Sequence, residues 1–140
     1  MRILWILAVL LLTNVCYAQD AIYTTADGTK IMCTASKSSG SLSEYDNFTD
    51  YYTFKNGHIY SDNLSKMFGN PSYTKKVLKL KIDNNKISFK DRLYRWKAFY
   101  YKYVTIDRQT GKYTFEAKKD NNWYCFFPRA YGSGTCSIIE

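Results

Sequence analysis

At 140 residues the chain has room for one ordinary domain with a real hydrophobic core. Its 18% aromatic content, led by 14 tyrosines, excludes a disordered segment, which would be poor in such residues. The net charge of +8, carried mostly by lysine, suits either an anionic partner or plain solubility.

The first twenty residues, MRILWILAVLLLTNVCYAQD, have the charged, apolar and cleavage-region order of a secretory signal peptide. Arg2 precedes an apolar run from Ile3 to Leu12, and Cys16 and Ala18 are the small residues before the expected cut. The apolar run spans about 10 residues, whereas a membrane helix needs roughly 20. The expectation is therefore residues 1–18 removed and a mature chain, 19–140, that begins at Gln19, folds as a single β domain and resides in a secreted or periplasmic location. No later segment is long and apolar enough to span a bilayer.

Beyond the signal, apolar residues recur in short and often alternating runs, which is the pattern of strands. AIYTTADGTKIMCTA reads as a hairpin turning at Asp27-Gly28. The serine-rich stretch 36–47 reads as an exposed loop. Phe48 to Phe54 reads as a strand, Asn56-Gly57 as a turn, and His58 to Tyr60 as the return. Ser61 or Asp62 is placed to cap one helical turn through Phe68, which Gly69-Asn70-Pro71 would end. Leu78, Leu80 and Ile82 alternate with Lys79 and Lys81, giving an apolar face and a lysine-rich one. After a turn at Asn84-Asn85, Ile87 and Phe89 repeat the pattern. RLYRWKAFYYKY, residues 92–103, reads as strand with a bulge or as two segments. VTIDRQTGKYTFE reads as a hairpin in which Asp107 and Thr110 supply local hydrogen bonds and Gly111 takes a positive φ. Trp123 to Phe127 and Thr135 to Ile139 close the series, with YGSGT, residues 131–135, as the last turn. The sum is an all-β domain of about eight to ten strands, either an antiparallel β-barrel or a β-sandwich, with a lipocalin-like barrel as one form.

Cys33, Cys125 and Cys136 survive cleavage, and in an exported chain they are disulfide candidates. Cys125–Cys136 would staple a terminal hairpin. Cys33–Cys136 would close a loop of about a hundred residues, which loop entropy favours by roughly 4–5 kcal/mol. The favoured pair is Cys33–Cys136, with Cys125 a buried, inert thiol in the run WYCFF.

Catalytic signatures are scarce. There is no CxxC, no Walker or dinucleotide motif and no GxSxG elbow, and His58 is the only histidine. Glu44, Asp46 and Asp50 lack the spacing of an EF-hand, and no metal or cofactor is expected. An enzyme would need a pocket of convergent polar groups with perturbed pKa values, and none is expected. Two sequons, Asn47-Phe48-Thr49 and Asn63-Leu64-Ser65, would matter only in a eukaryotic secretory pathway. The informative feature is basic and aromatic. Lys79, Lys81, Arg92, Arg95, Trp96 and Tyr100 form a candidate surface for an anionic envelope or surface component. Single-stranded nucleic acid would also suit such a surface, but export separates the protein from it.

VTIDRQTGKYTF followed by GSGTC resembles the ending of a class of small exported bacterial proteins of unknown function. The matching residues are Val104, Ile106, Arg108, Thr110, Gly111, Tyr113, Gly134 and Cys136. The resemblance covers the last third of the chain and implies no activity or cofactor. The expected function is non-enzymatic binding of an envelope or other macromolecular partner. The alternative is a lipocalin-like carrier of a small apolar ligand.

Overall fold

A computed structural model describes residues 22, 24–40, 49–95, 98–119 and 129–139. The expected signal peptide, Trp96, Cys125 and the WYCFF strand lie outside the described residues. Among the described residues, nine strands form one antiparallel sheet. The first five are β1 (Lys30–Gly40), β2 (Thr49–Lys55), β3 (His58–Ser61), β4 (Lys75–Lys76) and β5 (Leu78–Ile82). The rest are β6 (Lys86–Arg95), β7 (Ala98–Asp107), β8 (Lys112–Lys119) and β9 (Arg129–Ile138). One short helix, α1 (Asn63–Phe68), precedes β4 and ends at Gly69 with a left-handed φ of 64°.

Neighbours in the sheet run β4-β3-β2-β1-β9-β8-β7-β6-β5. The two ends of that order, β4 and β5, are consecutive in the chain and separated only by Val77. The stretch from Lys75 to Ile82 therefore pairs first with β3 and then with β6, and Val77 N–H donates to the Ile59 carbonyl at 2.9 Å. The sheet thus curls into a nearly closed barrel, not a sandwich. Closure leaves few unpaired strand edges.

Alternation along each strand fills the interior. Ile31, Cys33 and Ala35 point inward from β1, and Tyr52 and Phe54 from β2. Ile87 and Phe89 on β6, Val104 and Ile106 on β7, and Tyr113, Phe115 and Ala117 on β8 share the same core. Tyr52 and Phe89 meet edge to face at 4.9 Å. One end is tied by Arg108, whose Nε donates to the Ile22 carbonyl at 3.1 Å and whose Nη1 donates to the Asp83 carbonyl.

The disulfide joins Cys33 to Cys136, which oppose each other on β1 and β9 with Cα atoms 3.9 Å apart. It sits in the core, across the pairing that links the first strand to the last.

The turn at Val104–Glu116 is as the sequence implies. Asp107 Oδ1 accepts the backbone N–H groups of Gln109 and Thr110 at 2.9 and 2.8 Å, Thr110 Oγ1 accepts that of Lys112, and Gly111 has φ 69°.

Four expectations change, and one open alternative is resolved. Asp27-Gly28 does turn, but residues 24–26 are not a strand; Gly28 N–H donates to the Phe54 carbonyl, so the turn docks on β2. Residues 36–40, expected in a loop, extend β1, because β9 offers partners as far as Gly40↔Ala130. YGSGT is the middle of β9, not a turn. Its glycines allow close approach: a Cβ on Gly132 would fall on the Phe115 ring, and one on Gly134 on the Thr34 backbone. Of the two readings of residues 92–103, two segments holds: 92–95 end β6 and 98–103 begin β7, paired from Arg95↔Ala98 outward. Finally, Leu78 and Ile82 face solvent at 44% and 38% exposure while Val77 is buried. The register shift between Leu78 and Lys81, with Lys79 at φ 51°, leaves Leu80 as the one residue of the expected apolar row that packs against the core.

Candidate functional site

The outer face of β6, β7, β8 and β9 interleaves cations with tyrosines. Lys90 opposes Tyr103 and Arg92 opposes Tyr101 across β6 and β7; Tyr101 opposes Lys118 on β8, and Glu116 opposes Tyr131 on β9. The Lys90 ammonium lies 3.6 Å from the centroid of Tyr101 and 5.6 Å from that of Tyr103. Lys118 lies 5.5 Å from the Tyr103 centroid and also pairs with Glu116 at 3.2 Å. Each exposed cation–π contact contributes about 0.5–1 kcal/mol, so these tyrosines chiefly hold the lysines in place. Tyr103 and Tyr131 remain 40% and 47% exposed.

This face runs into a groove of about 270 Å³ at the seam where the chain passes from β3 to β6. Lys75, Lys76, Lys90 and Arg92 give it a basic rim, Leu64, Tyr73 and Leu78 an apolar wall, and Ser61 and Asp91 a buried floor. A second groove, of about 410 Å³, borders α1 at Tyr51, Asp62 and Lys66. There Asp62 is committed to structure, accepting hydroxyl hydrogen bonds from Thr53 and Thr74 at 2.9 and 3.1 Å.

Of the residues singled out from the sequence, Arg92 lines the basic groove. Lys79 and Lys81 are exposed on the neighbouring β5. Arg95 ends β6 and Tyr100 lies on β7 opposite Leu93, but their side chains, like Trp96, lie outside the described residues. Asp107, Thr110 and Gly111 serve the turn. Strand pairing adds Lys75, Lys76 and Lys90 to the basic groove. Asn63 is engaged in the fold: its Oδ1 accepts Tyr51 N–H at 2.7 Å and its Nδ2 donates to Asp91 at 3.1 Å.

A second constellation was missed altogether. Asp50, Lys102 and Asp91 occupy inward positions on β2, β7 and β6 and are at most 5% exposed. Asp50 Oδ2 contacts Lys102 Nζ and accepts the Tyr113 hydroxyl. Asp91 lies directly opposite Lys102 in the register and accepts from Ser61 Oγ at 2.9 Å, Asn63 Nδ2 and Arg92 N–H. Asp50 Oδ1 and the Tyr52 hydroxyl are buried without a hydrogen-bond partner among the described residues. Burial first, and the neighbouring Asp50 second, push the Asp91 carboxyl up to about 6, against the opposing pull of Lys102 and the hydrogen-bond donors. Burial, then Asp50, also raises Tyr52 and Tyr113 well above the usual phenol range, so both keep their protons. Convergent titratable groups thus do occur, against expectation, inside the barrel, with Asp91 also forming the floor of the basic groove. Each is a charged residue in the inward phase of its strand: Asp50 before Tyr52 and Phe54, Asp91 after Ile87 and Phe89, Lys102 before Val104 and Ile106. A charge at an inward-phase position is the signal the sequence offers.

Among the described residues no three His, Cys, Asp or Glu side chains gather as a metal site, and no helix is long and apolar enough to cross a membrane. Fold and site together define a small antiparallel β-barrel with an interior disulfide, a basic tyrosine-rich face and a buried carboxylate–lysine–carboxylate cluster. Comparison with protein-family models, curated proteins and solved structures finds no match in any of the three.

Proposed function

We propose that this chain is an exported, non-enzymatic binding protein that docks on an anionic polymer of the cell envelope through its basic tyrosine-rich face. The observation that carries this reading is the Lys90–Tyr101 contact, set in a row with Arg92 and Lys118 and continuous with the basic groove. Cations held on tyrosine rings present charge without a large ordering cost on binding, and the exposed rings add apolar contact area. The lipocalin-like carrier is the weaker reading, because Tyr52, Phe54, Phe89, Tyr113 and Phe115 fill the described interior positions. Export itself rests on the order of the first twenty residues.

The test is retention on immobilised heparin, a model polyanion, across a salt series. Lys90→Glu with Arg92→Glu should weaken binding about tenfold or more and flatten its salt dependence. Unchanged retention in a folded double variant would overturn the reading.

A further inference from the structure

The interior cluster has a chemistry that the outer face does not use. A buried ion pair is a poor stabiliser by itself, since desolvating both charges offsets most of their attraction. Here the pair is Lys102 with Asp50, each 1% exposed, and a second carboxyl, Asp91, stands in the register position opposite the lysine. Aromatic rings surround them: the Phe115 centroid is 4.5 Å and the Tyr113 centroid 5.6 Å from Lys102 Nζ. The nucleophile, the acyl carbon and a proton carrier are thus brought together where water has little access, which is the arrangement that intramolecular amide formation requires.

We propose that Lys102 Nζ and Asp50 Cγ become joined by a spontaneous intramolecular amide bond, with Asp91 relaying the proton. Lys102 Nζ first gives up one proton, which Asp91 carries to Oδ1 of Asp50, leaving a neutral amine in contact with a carboxylic acid. The amine lone pair then attacks Cγ of Asp50. The C–Oδ2 π electrons move onto Oδ2, where the Tyr113 hydroxyl already donates a hydrogen bond. As this intermediate collapses, Oδ1, the oxygen without a hydrogen-bond partner, departs as water. One of its protons is that of the carboxylic acid, and the other comes from nitrogen through Asp91. Asp91 ends in the protonation state in which it began, and its carboxyl, raised to about 6, can both take and give a proton near neutral pH. The ammonium and carboxylate together yield one amide and one water, with no oxidant or cofactor. The product ties β7 to β2 across the barrel, where the register also places Asp50 opposite Cys33 of the disulfide.

Intact mass spectrometry of the purified chain, reduced and denatured, tests this directly. The proposal expects about 18 Da less than the sequence mass, one water lost, and a proteolytic fragment in which the Asp50 and Lys102 peptides are joined. Lys102→Ala and Asp50→Ala should each return to full mass. Cyclisation of an N-terminal Gln19 would remove a similar mass, about 17 Da, but would persist in Lys102→Ala and leave no joined peptide. Asp91→Asn, which keeps the shape, should leave a mixture of linked and unlinked chains, with linking slowed at least tenfold. Linking of Asp91→Asn at the original rate would remove Asp91 from the mechanism. A folded, disulfide-bonded chain at full mass, with no joined peptide, would overturn the proposal and leave a buried ion pair only.

Discussion

Asp107 is the turn residue whose job is most completely stated by its own bonds. Two backbone N–H groups point at one carboxylate oxygen, and these bonds, Thr110's first, hold its carboxyl below the usual range. A depressed folded pKa means stability that is fully present above the unfolded value, near 4, and lost as pH falls through the folded value. Asp107→Asn retains the acceptor oxygen but not the charge. Its urea midpoint should therefore fall less steeply than the parent chain's as pH drops below about 4, and parallel pH profiles for the two would refute this. Lys102 shows the opposite case at the same scale. Nothing in its immediate neighbours, Tyr101 and Tyr103, marks it as special. Only its phase with Val104 and Ile106 does, and that phase carries it into the core.

At the scale of the element, β9 carries the sharpest lesson. Tyr-Gly-Ser-Gly-Thr looks like a turn because glycine is the commonest turn residue, yet its two glycines keep side chains out of the way of Phe115 and of the β1 backbone. At Gly134 the obstacle is the Thr34 carbonyl, which a side-chain rotation cannot relieve. Gly134→Ala should thus cost about 2–4 kcal/mol by forcing β1 and β9 apart. Denaturant unfolding measures it, and a loss under about 0.5 kcal/mol, the usual size of a neutral surface change, would show that the strands have room to give. The closing strand makes a related point. LKLKI alternates cleanly, but beside the register shift at Lys79 only Leu80 packs inward while Leu78 and Ile82 face out, so alternation predicted the strand and only part of its apolar face.

For the molecule as a whole, the chain's two ends of order are held by one pairing, β1 with β9, and by the disulfide across it. Cys33 and Cys136 are 103 residues apart in sequence. Constraining so long a loop in the unfolded chain stabilises the fold by roughly 4–5 kcal/mol in the loop-entropy account. Cys33→Ser with Cys136→Ser should lower unfolding stability by roughly 2–5 kcal/mol, the lower figure applying if a Lys102–Asp50 bond already shortens the free loop. An unchanged urea midpoint would show that the strand pairing alone fixes closure. The outer face and the inner cluster also belong to this scale, since each draws residues from three or more strands.

The alternating apolar runs determined the all-β class, most of the strands and the Asp107–Gly111 turn, because period-two burial and local side-chain hydrogen bonds act over a few residues. Loop entropy singled out Cys33 and Cys136 for the same reason that polymer physics needs only their separation. Barrel over sandwich was decided by the tertiary structure, since it depends on one stretch, Lys75 to Ile82, pairing with β3 and β6 in turn. So was the meeting of Asp50, Asp91 and Lys102, whose positions span 52 residues of sequence. Which inward side chains touch is set by strand tilt and register around a closed sheet, and no local pattern encodes that.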